Sequence, residues 1–256
     1  MRAMSTDSHA RTPRYLGAAF VFQFATSLTA GLLSRSILAG SPSEVLTNIS
    51  SNLGQTRASL VLFLLTSVGI IVMTSLLYVV LRDQNRAAAL VALGLWMAEA
   101  LMLAVKTLGT YALVTLSAGP VDAGTPASYY ETLGTLSLGV RQHAGQISML
   151  FFCLGALLWY YLLFRSRIVP RLLSLWGLVA VPLVLVNTVL LVWDRSLDPS
   201  LALYAPYVPF ELVIGLWLLI KGASVPPTHL DSAPAPDTVL GRKKEVGEAK
   251  EHHPTS

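Results

Sequence analysis

Charged residues are scarce in this sequence of 256 residues. Asp, Glu, Lys and Arg account for 12% of the chain, whereas 54% is hydrophobic and the mean hydropathy is +0.60. Soluble domains usually contain about 25% charged residues. The composition therefore predicts a protein surrounded mainly by the lipid bilayer. The net charge of +4 comes from short basic clusters between apolar runs, so we expect no nucleic-acid partner.

Cysteine and catalytic motifs are scarce as well. Cys153 is the sole cysteine, which excludes an internal disulfide. The sequence contains no phosphate-binding loop, zinc-protease motif or nucleophile elbow. We therefore expect no catalytic residue of a familiar enzyme, no metal site and no cofactor, while an unfamiliar enzyme stays open.

Six apolar runs are long enough to span a bilayer, which takes about 20 mostly apolar residues. Backbone groups in lipid must be paired within the protein, so such segments are helices or barrel strands. The strict alternation of barrel strands is missing here. The sequence thus predicts an all-α polytopic membrane protein, a bundle of six transmembrane helices. The predicted spans are 15–38, 60–81, 87–108, 140–164, 172–193 and 199–220.

Basic residues are unevenly distributed between the two sides of this six-span arrangement. One side has Arg35, Arg57, Arg141 and Arg195. The other side has Arg2, Arg11, Arg14, Arg82, Arg86, Arg165, Arg167, Arg171, Lys221 and the basic residues of 242–250. Because loops rich in Lys and Arg face the cytoplasm, both termini are predicted to be cytoplasmic.

Three regions follow from this topology. Residues 1–14 form a cytoplasmic N-terminal segment and residues 15–221 the transmembrane domain. Residues 222–256 have too little apolar surface to fold, which predicts a disordered cytoplasmic tail. In the first outer loop, Ser-Pro-Ser-Glu at 41–44 has the pattern of a capped helix start and predicts a short helix. A second outer loop is expected over 109–139.

Two glutamates interrupt the apolar runs. Glu99 lies in the third predicted span and Glu211 in the sixth. A charge at the centre of a membrane helix costs about 2.5–3.5 kcal/mol on insertion scales, so it needs a functional or structural reason. Each glutamate lies roughly 18 Å along its span, near the bilayer midplane. They are the main candidates for an intramembrane polar site.

Five other residues are candidates for the same site, and each also has a simpler interpretation. Lys106 lies two turns beyond Glu99, and we expect it to extend to the outer interface. His143 and Gln146 share a helix face, and His143 could relay protons, but hydrogen bonding at the interface is the commoner role. Gln23 and Asn187 are expected to hydrogen-bond between helices.

Prolines interrupt the last two predicted spans at Pro182, Pro206 and Pro209. Proline kinks membrane helices, and the broken helices of transporters free backbone groups to bind substrates or ions. We expect kinks, with Pro209 of most interest because it is close to Glu211.

Several short segments are similar to those of a known family. Residues 151–155 read Phe-Phe-Cys-Leu-Gly, residues 161–166 Tyr-Leu-Leu-Phe-Arg-Ser, and residues 170–173 Pro-Arg-Leu-Leu. Glu211 is followed by Leu-Trp-Leu-Leu at 216–219 and Lys-Gly at 221–222. With these segments, residues 14–222 resemble the bacterial membrane family called domain of unknown function 4386. The resemblance implies a bacterial multi-pass protein of about six helices, expected in the cytoplasmic (inner) membrane, and it implies no activity.

Two functions fit these observations. In the first, the protein binds or transports a small solute or a proton through an intramembrane polar pocket that contains Glu99 and Glu211. In the second, it is a structural or regulatory membrane protein that binds a partner, and the acids serve only helix packing. An intramembrane enzyme acting on lipid would need clustered catalytic groups, which one sequence does not show.

Overall fold

The structure is a computed structural model that describes residues 5–118, 127–194 and 201–221. Of these residues, 91% are helical and none lies in a strand, which confirms the all-α prediction. The described helices are α1 (Ser5–Arg35), α2 (Pro42–Ser51), α3 (Leu53–Leu81), α4 (Arg86–Ala118), α5 (Ala127–Ser166), α6 (Arg171–Trp193), α7 (Leu201–Tyr204) and α8 (Tyr207–Lys221). The predicted tail, residues 222–256, lies outside the described residues.

Six segments of these helices are long and apolar enough to cross a membrane, and each overlaps one of the predicted spans. Their outward faces carry exposed large hydrophobic residues, such as Val61, Leu64 and Val68 on α3. A soluble protein would bury such a continuous apolar surface. The chain is therefore a polytopic bundle of helices whose outer surface suits lipid.

Several helices continue past the apolar runs that predict them. Helix α4 extends to Ala118 and α5 begins at Ala127, so most of the expected loop over 109–139 is helical. With 40 residues, α5 is about 60 Å long, roughly twice the thickness of the hydrocarbon core. Helix α1 begins at Ser5, so the predicted N-terminal segment is mostly helical as well.

The six long helices close into a ring. Helix α1 packs against α3 and α8, α3 packs against α4, α4 against α5, α5 against α6, and α6 against α8. Short connections join α3 to α4 and α5 to α6, so these neighbours are antiparallel. We call the end with these two connections the basic end. Its basic residues include Arg82, Arg86, Arg165, Arg167, Arg171 and Lys221. The opposite end, where α2 lies, is called the cap end.

The half of the ring toward the basic end has a continuous apolar core. Its largest fully buried side chains include Trp96, Trp159, Tyr160, Phe20 and Phe210. The rings of Tyr160 and Phe210 meet edge to face at 4.9 Å between centroids. Cys153 is buried in the same core. Because lipid tails are as apolar as these side chains, close packing holds the helices together, and this half of the ring is filled.

Helix α2 at the cap end begins as the sequence predicts. The Glu44 backbone N–H donates to Ser41 Oγ at 3.4 Å, and the Ser41 N–H donates to Glu44 Oε2 at 2.7 Å. These bonds to Ser41 favour the carboxylate and lower the pKa of Glu44 below its ordinary value. Val45 and Ile49 of α2 join a second apolar cluster with Leu113 of α4. This cluster explains why α4 continues beyond its apolar run.

Helices α1 and α8 approach each other closely at two glycines. A Cβ atom on Gly17 would overlap the backbone of Leu218 and Leu219. A Cβ atom on Gly215 would lie 3.1 Å from the Cβ of Phe20. Small residues of this kind let the backbones of membrane helices pack together. The glycine seam closes the ring near the basic end.

Replacing Gly17 by alanine should open this seam, because the added methyl group has no space and the two helices must separate. Overpacking of this kind costs about 1–3 kcal/mol. We expect Gly17→Ala to lower the Tm of the detergent-solubilised protein by several degrees. Gly94→Ala is the matched control, since a Cβ at Gly94 meets nothing within 4 Å. The same Tm for both variants would contradict the seam.

Candidate functional site

Glu99 and Glu211 line the same cavity. They come from α4 and α8 and are only 8% and 9% exposed. The cavity has a volume of about 330 Å³, and its wall takes residues from every membrane-crossing helix. It therefore lies inside the ring, and we call it the central cavity. Its polar and aromatic wall includes Gln23, Phe63, Glu99, Lys106, Ser148, Tyr207 and Glu211.

The interface of α4 with α5 positions Glu99. The Ser148 hydroxyl donates to the backbone carbonyl of Glu99 at 3.1 Å. About one turn away, Trp96 Nε1 donates to the carbonyl of Phe152 at 3.1 Å. Gly155 provides the space for the Trp96 ring, because a Cβ there would overlap it. These contacts fix the register of α4 against α5 and thus the face on which Glu99 lies.

Glu211 is placed by a break in the sixth membrane-crossing segment. The predicted sixth span, 199–220, corresponds to the apolar segment Ala202–Lys221, which is interrupted where residues 205–206 separate α7 from α8. The carbonyl of Pro206, which lies at the break, accepts a hydrogen bond from Trp176 Nε1 at 3.0 Å. The break is therefore stabilised by α6.

Pro209 marks a helix start and not the expected kink. It lies in the first turn of α8, where backbone N–H groups have no partner within the helix, so its missing N–H costs nothing. Helix α6, by contrast, continues through Pro182. Tyr207 lies one turn before Glu211 and lines the same cavity. The Tyr207 hydroxyl lies 3.3 Å from that of Tyr160.

Helix α1 contributes Gln23, which is 8% exposed and lines the central cavity. Among the described residues, no group hydrogen-bonds to its Oε1 atom. Next to it, Thr66 Oγ1 donates to Thr26 Oγ1 at 2.9 Å and ties α3 to α1. A buried acceptor left unpaired costs about 1–3 kcal/mol, so the Gln23 amide is suited to a ligand in the cavity.

Lys106 lines the central cavity instead of extending to the interface as expected. Its Nζ atom lies 4.7 Å from the centroid of the Phe63 ring, a cation–π contact with α3. It follows Glu99 by about 10 Å along α4. Among the described residues, Arg82 forms an ion pair with Asp83. No described lysine or arginine forms an ion pair with Glu99 or Glu211.

A second cavity of about 510 Å³ continues from the first toward the cap end, and we call it the vestibule. The two cavities share Ser27, Leu28, Gly31, Phe63 and Lys106. Beyond these residues the vestibule reaches Arg35 of α1 and Arg141 of α5. The interior of the ring therefore changes from carboxyl groups in the middle to cations toward the cap end.

Three candidate residues lie elsewhere. His143 is exposed on α5, lines a separate groove between α4 and α5, and has its Nδ1 atom 2.6 Å from the carbonyl oxygen of Gly139. Gln146 Nε2 donates to the carbonyl of Leu191 at 3.2 Å and ties α5 to α6. Asn187 is buried on α6 and is not among the residues that line the central cavity. His143 and Gln146 thus contact different neighbours although they share a helix face.

Several residues of the two cavities carry little or no local signal in the sequence. Phe63 and Ser148 carry no signal, because such residues are ordinary in membrane helices until their neighbours are known. Tyr207 has a weak signal, since it precedes Glu211 by four residues and so shares its helix face. Arg141 stands out as a charge beside an apolar run, but only the packing of α5 shows that it lines the vestibule.

The arrangement defines a class of protein. Within the described ranges, no group of His, Cys, Asp and Glu could hold a metal ion. The cavity instead offers two carboxyl groups, an amide, an ammonium group and hydroxyl groups, which can hold a proton or a small polar solute. The chain is a multi-pass membrane protein whose six membrane-crossing segments line one central cavity that contains these polar groups.

This chain belongs to the family described as Domain of unknown function (DUF4386), whose model matches residues 15–222. The match confirms the resemblance seen in the sequence. No curated protein and no solved structure matches the chain. The matched range contains all six membrane-crossing segments and both buried glutamates, and the family description carries no activity.

Proposed function

We propose that this protein binds a proton or a small polar solute at Glu99 and Glu211 and moves it across the membrane through the central cavity. One observation carries the proposal. Carboxyl groups from α4 and α8 line the same cavity, and no described lysine or arginine forms an ion pair with either. Acids that served only to hold helices together would be paired across a helix interface.

The energetics favour occupancy of this site. An ionised carboxylate in the membrane costs about 2.5–3.5 kcal/mol on insertion scales, and two carboxylates at one cavity also repel each other. A bound proton or a cationic group on a solute offsets both costs. A ligand that binds only the folded protein raises its free energy of unfolding. The proton or solute bound at the two acids therefore stabilises the folded protein.

The asymmetry of the interior supports movement in addition to binding. The central cavity continues through the vestibule toward the cap end, whereas the basic end is filled by the apolar core. Transport through such a protein requires a second state in which the core opens instead. In that second state we expect the break at residues 205–206 to act as a hinge between α7 and α8, with Glu211 on the α8 side.

For the location, we propose the bacterial cytoplasmic membrane with both termini in the cytoplasm. The clustering of described basic residues at the basic end supports this orientation. The cap end then faces away from the cytoplasm, and the vestibule lies on that side.

Thiol labelling tests the orientation, because Cys153 is buried and can be replaced. In a Cys153→Ser background, Ser43→Cys on the exposed face of α2 should react with a membrane-impermeant maleimide in intact cells. Asp83→Cys, exposed at the basic end, should react only after the membrane is permeabilised. The opposite pattern would reject the proposed orientation.

The function is tested by proton uptake into liposomes that contain the purified protein and an internal pH-sensitive dye. Under an imposed membrane potential, we expect faster acidification than in protein-free liposomes. Glu99→Gln and Glu211→Gln should each reduce the protein-dependent rate at least tenfold, because each removes a proton-binding carboxyl group from the cavity.

Glu131→Gln is the matched control, since Glu131 is an exposed glutamate on α5 and does not line the central cavity. It should retain the native rate. Native liposomes that behave like protein-free ones, or glutamine variants that keep the native rate, would contradict proton movement through this site. Those results would favour the structural or regulatory alternative, in which the acids serve packing alone.

A further inference from the structure

The vestibule brings three cations to one space. Arg35, Lys106 and Arg141 come from α1, α4 and α5, and all three line it. No Asp or Glu is among its described lining residues, and none of the described acids forms an ion pair with these cations. Arg35 is exposed, whereas Lys106 and Arg141 are half-buried. A positive charge that is partly removed from water without a counter-charge is costly. The site therefore favours an anion from outside the chain.

Arg141 also has one hydrogen-bond donor without a partner among the described residues. Its Nε is buried, and no hydrogen-bond acceptor among the described residues reaches it. The start of its side chain is held against α4, since a Cβ on Gly109 would lie 3.0 Å from the Cβ of Arg141. A guanidinium group has five N–H donors in a planar fork that matches carboxylate and phosphate. An oxyanion would satisfy the buried donor.

Lys106 is held at the same space by two neighbours. Its ammonium group lies over the Phe63 ring, and its stem passes Gly145, where a Cβ would lie 3.4 Å from Cδ of Lys106. Arginine binds carboxylate and phosphate groups through its planar fork of donors, and lysine binds them as a point charge. The two side chains thus offer complementary donors to one oxyanion.

We propose that the vestibule is an oxyanion-binding site, which holds a carboxylate or phosphate group between Lys106 and Arg141. This inference deepens the proposed function, on which it rests for the identity of the solute. A solute that occupies both cavities has its anionic group in the vestibule and a cationic or hydrogen-bond-donating group at Glu99 and Glu211. The same anionic chemistry is offered by a free small anion and by the headgroup of an anionic lipid.

Thermal stability of the full-length protein tests the site. In a neutral detergent, the Tm with inorganic phosphate is compared with the Tm in sodium chloride at equal ionic strength. In a second arm, micelles doped with phosphatidylglycerol are compared with micelles doped with phosphatidylcholine. We expect a rise of a few degrees in at least one arm, since a ligand of the folded state stabilises it. The arm that responds identifies a free anion or a lipid headgroup as the source.

Substitutions locate the response. Lys106→Gln and Arg141→Gln should each weaken the stabilising anion's binding at least tenfold, because each removes one of the two cationic contacts. Lys106→Arg should retain most of the response, since it keeps a cation in the vestibule. Arg57→Gln is the matched control, because Arg57 is exposed at the start of α3 and does not line the vestibule.

The outcomes separate this inference from the proposed function. No rise in Tm in either arm, or an equal rise in the native protein, Lys106→Gln and Arg141→Gln, overturns the oxyanion site. If one glutamine variant does not fold, the other and the native response decide the question. Suppose that the rise in Tm requires Lys106 and Arg141, while Glu99→Gln and Glu211→Gln leave proton uptake unchanged. That result supports the oxyanion site in the vestibule and rejects only the proposed function of the two acids.

Discussion

The free-energy cost of a carboxyl group in hydrocarbon is the constraint on which this structure depends. Glu99 and Glu211 lie in segments that must cross the membrane, so their side chains must face the inside of the bundle. A single membrane helix exposes every face to lipid, whereas a ring of six helices has an interior. The central cavity is therefore the feature around which the helices are arranged, and its wall takes residues from all of them.

The helices are closely packed near the basic end and are farther apart toward the cap end. Near the basic end, Gly17 and Gly215 let α1 and α8 approach, and Trp96 and Phe210 fill the interior. Toward the cap end the helices enclose the vestibule instead. Because hydrophobic force between helices is weak in lipid, small residues and interhelical hydrogen bonds such as Ser148 to Glu99 determine where the bundle is filled and where it is hollow.

The sign of the charged side chains changes from the central cavity to the vestibule. Carboxyl groups lie in the middle of the ring, and Lys106, Arg141 and Arg35 follow toward the cap end. Lys106 lines both cavities and so joins the acidic and basic parts of the interior. An interior with charge separated in this way suits a solute with groups of both signs better than an apolar molecule.

Local features of the fold could be predicted from the sequence, and features that depend on neighbouring helices could not. Apolar length locates the six crossing segments, and the Ser41 to Glu44 pattern predicts the start of α2. The extension of α4 depends on contacts between Leu113 and α2, which have no local signal. The break before α8 was indicated by proline, but only as a kink.

In the candidate site, too, some residues have a local signal in the sequence, and the places of others depend on neighbouring helices. Glu99 and Glu211 stand out in any apolar run, so the sequence could identify them. Lys106 could not be assigned to the cavity, because extension to the interface is the sound expectation for a lysine on an isolated helix. Its actual place depends on Phe63 of α3, a residue 43 positions earlier in the chain. The relation of Arg141 to the vestibule is likewise set by helix packing alone.

The most direct measurement of the central claim is a thiol crosslink between the positions of the two acids. In a Cys153→Ser background, Glu99→Cys and Glu211→Cys are combined, treated in membranes with a short bifunctional thiol reagent and analysed by intact mass. A shared cavity predicts an intramolecular crosslink between α4 and α8. Leu101→Cys with Glu211→Cys is the control, because Leu101 is 62% exposed on the outer face of α4, and it should not crosslink. No crosslink at the acid positions, or an equal yield in the control, would contradict the account.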